Sequence, residues 1–395
     1  MLSVATELIQ HVECAFAERN RLFEHFFLTE ARKLAIACRE MSERFLRGGR
    51  LLAFGKGPYA TDAQHVSVEF VHPVIVGKRA LPALDLSLVF EPWLRAILRP
   101  GDMVMGFGPP EGDAQVEAAL ASASARGAMT FSFPGASGAY ALRSPSGNAF
   151  EHQELIEILY HTLWETVHVF FEHRELGQDV GAAEFLYPFL GQQKQKTEPV
   201  IEQVASSILI KVQEDAQLRI RVAHKQAEQM VNAAAAFVDR IRKGGKLIFF
   251  GNGGSATDAN DWAIDCVAPP AGYKPIPAVS LSMEPANISA LANDVGTEVV
   301  FLRQLIAQAG PNDVAVGIST SGSSKNIIMA LEEARRRGLL TAALLGYDGG
   351  EILRRGLVDY PLVVESDYIP RIQEVQASTY HVIRELMERI ARSND

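Results

Sequence analysis

Two turns rich in glycine and hydroxyl groups stand at the ends of predicted strands in the second half of the sequence. The turn 251–255 reads Gly-Asn-Gly-Gly-Ser, and the turn 319–324 reads Ser-Thr-Ser-Gly-Ser-Ser. Glycine permits positive φ, and the helix predicted after each turn offers free N–H groups to an anion. Because ligands of open parallel sheets gather at the carboxyl ends of the strands, the pair predicts a phosphate cradle. The alternative is two ordinary turns with helix N-caps, where Ser and Thr are common in any case.

A second set of residues, in the first half, has the types that transfer protons or bind metals. His65 and Glu69 are four residues apart on a predicted helix and share one face. Gln153 and His161, eight apart on a later helix, nearly share a face as well. Imidazole nitrogens and carboxylate oxygens are zinc ligands, and the same groups act as general acids and bases. The alternative is that these are packed or surface polar residues, since His and Glu pairs are common on helices.

The two sets of residues lie in two copies of one repeated unit. A repeat of this kind predicts two domains of the same fold. The aligned segments are 52–63 with 248–259, 126–127 with 337–338, and 153–154 with 373–374. Between these segments the order of motifs is the same in both copies. The sequence therefore predicts two domains, with boundaries at 1–175 and 203–395 and a linker at 176–202.

Each copy has lost a different part of the unit. The first copy reads Lys-Gly-Pro-Tyr at 56–59 and Gly-Pro-Pro-Glu-Gly-Asp at 108–113, where proline removes backbone donors and carboxylates repel phosphate. It also lacks about 16 residues between Pro82 and Phe90. The second copy has Asp261 and Asp265 where the first has His65 and Glu69, although it keeps Gln373 and His381.

The elements that must position these residues alternate between strands and helices. Residues 1–48 predict two helices, and long helices are predicted to begin near Glu151 and Ile372. The predicted strands are 51–54, 102–106 and 128–133 in the first copy and 247–250, 313–318 and 340–345 in the second, with helices at 115–126 and 325–337. Strands alternating with helices in this way indicate an α/β fold with a parallel sheet covered on both faces.

The composition excludes several classes of protein. The chain has 395 residues and a formal net charge of −9, which disfavours a nucleic-acid partner. Its three cysteines have no CxxC spacing, so we expect a reduced cytoplasmic protein. No apolar run is long enough to cross a membrane, so no membrane partner is expected.

The motifs together resemble the SIS (sugar isomerase) family. The segments that carry the resemblance are 251–255, Ala-Asn-Asp at 292–294, 318–322, Gly-Tyr-Asp-Gly-Gly at 346–350, and Arg-Ile-Gln-Glu at 371–374. They are most similar to the phosphoheptose isomerase branch and to related replication-initiator-associating proteins of bacteria. The resemblance implies flavodoxin-like sandwich domains that form dimers and tetramers, with active sites at subunit interfaces.

The resemblance also implies roles for individual residues. The implied substrate contacts are Asn252, Gly253, Gly254, Ser255, Asp294, Ser319, Thr320, Ser321, Ser324 and Gln373. Glu69 and His161 correspond to the base and acid of the proton transfer, and Asp265 and His381 hold their places in the second copy. Some family members bind zinc at the positions of His65, Glu69, Gln153 and His161. The second copy offers a weaker metal set in Asp261, Asp265, Gln373 and His381. Zinc or another divalent metal is thus the implied cofactor, and no nucleotide is expected.

Three functions fit these residues. The first is an aldose–ketose isomerase that acts on a sugar phosphate through an enediol, with sedoheptulose 7-phosphate favoured by the resemblance. The second is a phosphosugar-binding regulatory protein without turnover, which the changes at Asp261 and Asp265 favour. The third is a replication-associated protein, suggested by the segment 346–351.

The duplication also predicts an assembly. The arms 1–48 and 203–243 are expected to exchange contacts, so that one chain is a pseudo-dimer and a homodimer is a pseudo-tetramer. Because the copies have lost opposite parts, the catalytic set of a first copy is expected to face the cradle of a second copy. The competing arrangement uses Asp265 and His381 in complete sites within pairs of second copies.

Overall fold

The computed structural model describes residues 4–73, 78–136, 138–175 and 197–393. These residues form two compact units. The first unit is Asn20–Ala216, and the second unit combines Met1–Arg19 with Gln217–Asp395. No helix within the described residues is both long enough and apolar enough to cross a membrane.

Each unit contains a five-stranded parallel sheet. The strands of the first unit are β1 Leu51–Gly55, β2 Ala83–Asp85, β3 Met103–Phe107, β4 Met129–Phe133 and β5 Tyr140–Ala141. Those of the second are β6 Leu247–Gly251, β7 Ala278–Ser280, β8 Val314–Ser319, β9 Leu340–Gly346 and β10 Tyr360–Val364. The sheet orders are β2-β1-β3-β4-β5 and, read from the corresponding edge, β7-β6-β8-β9-β10. Both have the flavodoxin-like order, which confirms the predicted fold class.

The central strands form where the sequence is apolar without alternation. All five residues of β1 and all five of β6 are buried, as expected for strands covered on both faces. Leu51 pairs with Met103, and Leu247 pairs with Val314 at the corresponding place. The predicted central strands are therefore correct to within about one residue at each end.

Helices cover both sheets. In chain order they are α1 Val4–Leu46, α2 Ala60–Val71, α3 Phe90–Ile97, α4 Ala114–Ala125, α5 Ala149–Glu175, α6 Thr197–Arg242, α7 Gly254–Val267, α8 Pro285–Asp294, α9 Val300–Gln308, α10 Lys325–Arg336, α11 Gly350–Arg354 and α12 Ile369–Ser393. Short 3-10 turns lie at Gly57–Tyr59, Ser87–Val89 and Thr297–Val299. Helix α8 falls in the segment that the first copy lacks.

Two helices differ from the prediction. Residues 1–48 contain one helix of 43 residues, α1, instead of two. The stretch contains no glycine or proline until Gly48, which follows the helix with φ +85°. Helix α6 begins at Thr197, so residues 197–202 of the predicted linker are helical, while 176–196 lie outside the described residues.

Each unit includes part of the other copy's arm. Val12 and Phe16, from α1, are buried in the second unit's core together with Phe237. Val204 and Ile208, from α6, are buried in the core of the first unit. The compact units thus divide the chain differently from the repeat boundaries 1–175 and 203–395.

Buried ion pairs accompany these exchanged segments. Arg19 donates to Glu385 Oε1 at 3.0 Å in the second unit, and Lys211 pairs with Glu165 in the first. Glu165 and Glu385 occupy the same position of the repeat. Since a buried charge that loses its partner costs about 3–5 kcal/mol, these pairs fix where each arm segment packs.

Candidate functional site

The cradle of the second unit is built on three neighbouring strand ends. Strands β6, β8 and β9 are adjacent and parallel, and they end at Gly251, Ser319 and Gly346. Gly253, with φ +56°, turns the chain into α7, and Ser324 precedes α10. The three loops therefore share one edge of the sheet, and two of them lead into helix N-termini that favour an anion.

Hydroxyl groups and backbone donors organise the second loop. Ser319 Oγ accepts a hydrogen bond from the Gly322 N–H at 3.1 Å and lies 3.3 Å from Ser324 Oγ. Ser321 Oγ accepts from the Ser323 N–H at 3.2 Å, and Ser321 itself is exposed. The structure thus brings the predicted hydroxyl residues of this loop together around the start of α10.

The third loop packs against the second so closely that only glycine fits. A Cβ on Gly322 would lie 2.2 Å from the Gly349 oxygen, and one on Gly350 would lie 2.3 Å from the Ser321 oxygen. Both glycines have positive φ. Tyr347, in the same loop, has φ +50°, the left-handed region that non-glycine residues rarely enter.

The other predicted substrate residues are placed differently. Asn252 exchanges amide hydrogen bonds with Asn326 at 3.0 and 2.9 Å, which joins the first loop to α10. Ser255 is buried in the first turn of α7, next to Gly254. Asp294 is the exposed last residue of α8, and its Oδ1 accepts from the neighbouring Asn293 amide at 2.7 Å.

The first unit fills the corresponding place with its own charges. Asp113 stands where Ser324 does in the repeat, and its Oδ1 accepts from the N–H groups of Gln115 and Val116 at 2.8 and 3.1 Å. Lys56 Nζ pairs with Asp113 Oδ2 at 2.7 Å. The hydrogen bond from Lys56 holds the pKa of Asp113 below its usual value. A side-chain carboxylate therefore occupies the N-terminus of α4, where an anion would otherwise bind.

Helices α2 and α5 bring together a buried cluster in the first unit. Ligand atoms of His65, Glu69 and His161 all lie within 4.8 Å of one another. His65 Nε2 is 3.8 Å from Glu69 Oε1, and none of the three residues is more than 3% exposed. Burial, and secondarily the charge of His161, hold the pKa of His65 well below its usual value. A neutral imidazole is the form that binds metals.

Gln153 lies two turns before His161 on α5. Its side-chain amide donates to Thr61 Oγ1 at 3.4 Å, across to α2. The predicted metal set of His65, Glu69, Gln153 and His161 therefore lies on α2 and α5. His65, Glu69 and His161 form one cluster.

Helices α7 and α12 bring together the corresponding cluster in the second unit. Ligand atoms of Asp261, Asp265 and His381 lie within 4.8 Å of one another, and all three residues are buried. His381 Nε2 donates to Asp265 Oδ2 at 3.1 Å and is 3.8 Å from Asp261 Oδ2. Gln373 is buried two turns earlier on α12. This cluster is a carboxylate–imidazole pair with a second carboxylate beside it.

Sequence reasoning missed two tyrosines that contact these clusters. Tyr160 Oη lies 2.8 Å from His65 Nδ1, and Tyr380 Oη donates to Asp261 Oδ2 at 2.7 Å. The sequence feature that could have identified them is the Tyr-His pair, which occurs in both copies, at 160–161 and 380–381.

Both clusters have donor sets that metals accept. Two imidazoles and a carboxylate are common zinc ligands, and ligands of a tetrahedral zinc lie about 3.4 Å apart. The first cluster has this donor set, and its ligand atoms lie within 4.8 Å of one another. The second has one nitrogen and two carboxylates, and its His381 is already hydrogen bonded to Asp265.

Comparison with known proteins agrees with this architecture. The SIS domain family matches residues 212–346. The phosphoheptose isomerase of Pelobacter propionicus is 44% identical over 169 residues, which cover 42% of this chain and 88% of that protein. The chain belongs to the SIS domain family.

Two solved structures resemble this SIS protein over nearly its whole length. The C-terminal domain of glucosamine-fructose-6-phosphate aminotransferase from Francisella tularensis has a TM-score of 0.60 at 10% identity and covers 96% of each chain. Tagatose-6-phosphate ketose/aldose isomerase from Escherichia coli has a TM-score of 0.59 at 13% identity, covering 98% of this chain and 94% of its own. At these identities the likeness shows the fold alone.

Proposed function

We propose that this SIS protein is an aldose–ketose isomerase whose substrate is a sugar phosphate. The observation that carries the proposal is the donor-rich cradle of the second unit. Each unit also holds a buried cluster of carboxylate and imidazole groups that suits proton transfer. The 44% identity to a phosphoheptose isomerase supports the same reaction type. It also favours a seven-carbon substrate, sedoheptulose 7-phosphate.

The phosphate group of the substrate would bind the cradle. Hydroxyls of Ser319, Thr320, Ser321 and Ser324, with Ser255 and the backbone of 252–254, would donate to its oxygens. Hydrogen bonds to an anion are short and strong, so the cradle supplies binding energy remote from the reacting carbons. Asn252, Gln373 and Asp294 are proposed to orient the sugar.

Proton transfer would use a carboxylate and a histidine. A carboxylate removes the proton next to the carbonyl, and a histidine moves the proton of the neighbouring oxygen, so that an enediol forms and collapses. We assign these roles to Glu69 and His161, since Glu69 has the longer reach. Asp265 and His381 form the second pair, in which the carboxylate is one methylene shorter.

We further propose that the first cluster binds zinc or another divalent metal. His65, Glu69 and His161 would hold the ion, with Gln153 adjacent on α5. A bound metal of this kind polarises a substrate carbonyl. From the resemblance we also propose that two chains associate as a homodimer.

One observation favours a second function, phosphosugar sensing without turnover. The Lys56–Asp113 pair lies at the repeat position that corresponds to Ser324 of the proposed cradle, which supports a loss of phosphate binding in the first copy. The two proposals are separated by assaying the purified protein against a panel of C5–C7 sugar phosphates, with added zinc and with chelator. Isomerisation of at least one sugar is expected. Binding without any turnover across the panel would replace the isomerase by the sensor.

A further inference from the structure

Two buried tyrosines occupy the same repeat position and contact the same partner position. Tyr160 and Tyr380 are each 2% exposed, and each directly precedes a cluster histidine. Tyr160 Oη is 2.8 Å from His65 Nδ1, and Tyr380 Oη is 2.7 Å from Asp261 Oδ2. His65 and Asp261 are themselves repeat counterparts. Each phenol therefore contacts its cluster at a residue where the two copies differ in chemical type.

The same hydroxyl has opposite effects on these two partners. A carboxylate can only accept, so Tyr380 donates to Asp261, and the bonded oxygen is the one 3.8 Å from His381 Nε2. Donation withdraws charge from that oxygen and weakens it as a metal ligand. An imidazole that binds a metal through Nε2 carries its proton on Nδ1, and the Tyr160 oxygen is placed to accept it. Such a bond fixes the tautomer and raises the ligand's basicity.

Packing fixes both phenol rings. Tyr380 stacks on Trp262 with ring centroids 5.4 Å apart and an interplanar angle of 21°. Tyr160 lies in the first unit's core cluster with Val66, and its ring centroid is 4.9 Å from that of His65. Because neither ring can move far, neither hydroxyl can turn to a different partner without disturbing the core.

We propose that Tyr160 is a positioning residue for His65 and makes His65–Glu69–His161 the metal-binding cluster of the chain. Tyr380 has the opposite role, since it keeps Asp261 hydrogen bonded and leaves the Asp261–Asp265–His381 cluster with weak metal affinity. The duplicated tyrosine thus gives two clusters of common origin different metal affinities. The inference rests on the proposed function only in assigning zinc to the first cluster.

The test measures metal binding by the full chain, independently of turnover. Zn²⁺ affinity is determined by competition with a chromophoric chelator, and the visible spectrum of bound Co²⁺ reports the geometry of the site. Tyr160→Phe should weaken the tight site by about 10- to 100-fold and shift the Co²⁺ bands. Tyr380→Phe should leave that site unchanged. Tyr140→Phe is the matched control, because Tyr140 is also buried in the first unit and donates to Glu30 at 3.0 Å.

Several results would overturn the proposal. They are the lack of any Zn²⁺ binding by the parent chain, wild-type affinity in Tyr160→Phe, an equal loss in Tyr140→Phe, and a loss confined to Tyr380→Phe. If Tyr160→Phe does not fold, Tyr160→Met keeps the bulk without the hydroxyl and is read in the same way. Sugar-phosphate turnover is assayed separately, so a protein that ranks the clusters as expected but isomerises nothing would refute the proposed function alone.

Discussion

At the scale of single residues, Ser321 and Pro110 hold the same repeat position in two different environments. Ser321 is exposed in the cradle loop beside a helix N-terminus, whereas Pro110 lies in the loop whose anion position Asp113 fills. Ser321→Asp places a negative charge where phosphate is proposed to bind. We expect phosphosugar affinity to fall by about 100-fold, the order of one or two charge-assisted hydrogen bonds plus repulsion.

Calorimetric titration of the sugar phosphate measures this loss. Pro110→Asp is the matched control and should bind like the parent protein, since its loop already contains carboxylates. Equal affinity in the parent protein and in both variants would remove the phosphate site from the cradle.

A second residue-scale prediction ranks the two carboxylates. Glu69→Gln keeps the shape of the side chain but removes the base, so turnover should fall by 100-fold or more, the order of lost general-base catalysis. Phosphosugar affinity should stay nearly constant, because Glu69 is not proposed to hold phosphate. Asp265→Asn should reduce kcat less. Steady-state kinetics and binding titrations of both variants check this, and the reverse ranking would assign the proton transfer to Asp265 and His381.

Residue types indicated the chemistry of these sites, but only the fold shows which groups meet. His65 and Glu69 were predictable as a pair because helical spacing puts them on one face of α2, whereas their meeting with His161 on α5 comes from the fold. Tyr160 and Tyr380 were missed although the Tyr-His pair recurs in both copies, because an aromatic residue on an apolar helix face is usually core. The Lys56–Asp113 pair was also beyond the sequence, because 57 positions separate its members and nothing local indicates the contact.

At the scale of elements, the segment missing from the first copy leaves a surface uncovered. In the second unit α8 packs beside the turn Thr297–Val299 and α9, and there Val300 and Gln304 are only 3% and 8% exposed. Their counterparts in the first unit, Val89 and Trp93, are 49% and 46% exposed. In the described residues of the first unit no helix corresponds to α8, and the positions that α8 adjoins in the second unit are exposed there.

This comparison predicts which apolar residues of α3 matter for stability. Trp93→Gln introduces the counterpart's residue at an exposed site, so the free energy of unfolding should change by no more than about 0.5 kcal/mol. Binding of a hydrophobic dye should decrease. Phe90→Gln is the contrasting variant, because Phe90 is buried and stacks on Phe54 with centroids 4.4 Å apart. It should cost about 3 kcal/mol or more. Chemical denaturation measures both, and a large loss in Trp93→Gln would mean that this surface is covered.

Helix α1 shows why one element was predicted wrongly. Its buried positions keep one helical stripe, although residues before Asn20 belong to one unit and later residues to the other. The stripe is polar where the units meet in sequence, because Arg19 and Asn20 are buried there at 1% and 7% exposure, and this interruption of the apolar pattern resembles a break. The sheet strands gave no such difficulty, since each belongs to one core.

At the scale of the whole molecule, the N-terminal segment packs with a distant part of the chain and not with the residues that directly follow it. The second unit begins its core with Val12 and Phe16, more than 200 positions before Phe237, with which they cluster. Arg19 and His11 both contact Glu385, at 3.0 and 3.3 Å, and Arg19 is 1% exposed. The N-terminal segment is thus a structural part of the unit that carries the cradle.

Removal of residues 1–19 should therefore destabilise the second unit, even though it shortens the first copy. The deletion uncovers the surface that Phe16 and Val12 bury and leaves Glu385 without Arg19, and each of these losses costs on the order of 3 kcal/mol. Hydrogen exchange followed by mass spectrometry should show faster exchange in β6 and β8 than in β1 and β3, relative to the full chain. Glu385→Gln in the full chain should reproduce part of the effect in the same strands. Faster exchange confined to β1 and β3 would show that residues 1–19 stabilise the first unit, as the repeat boundaries alone would suggest.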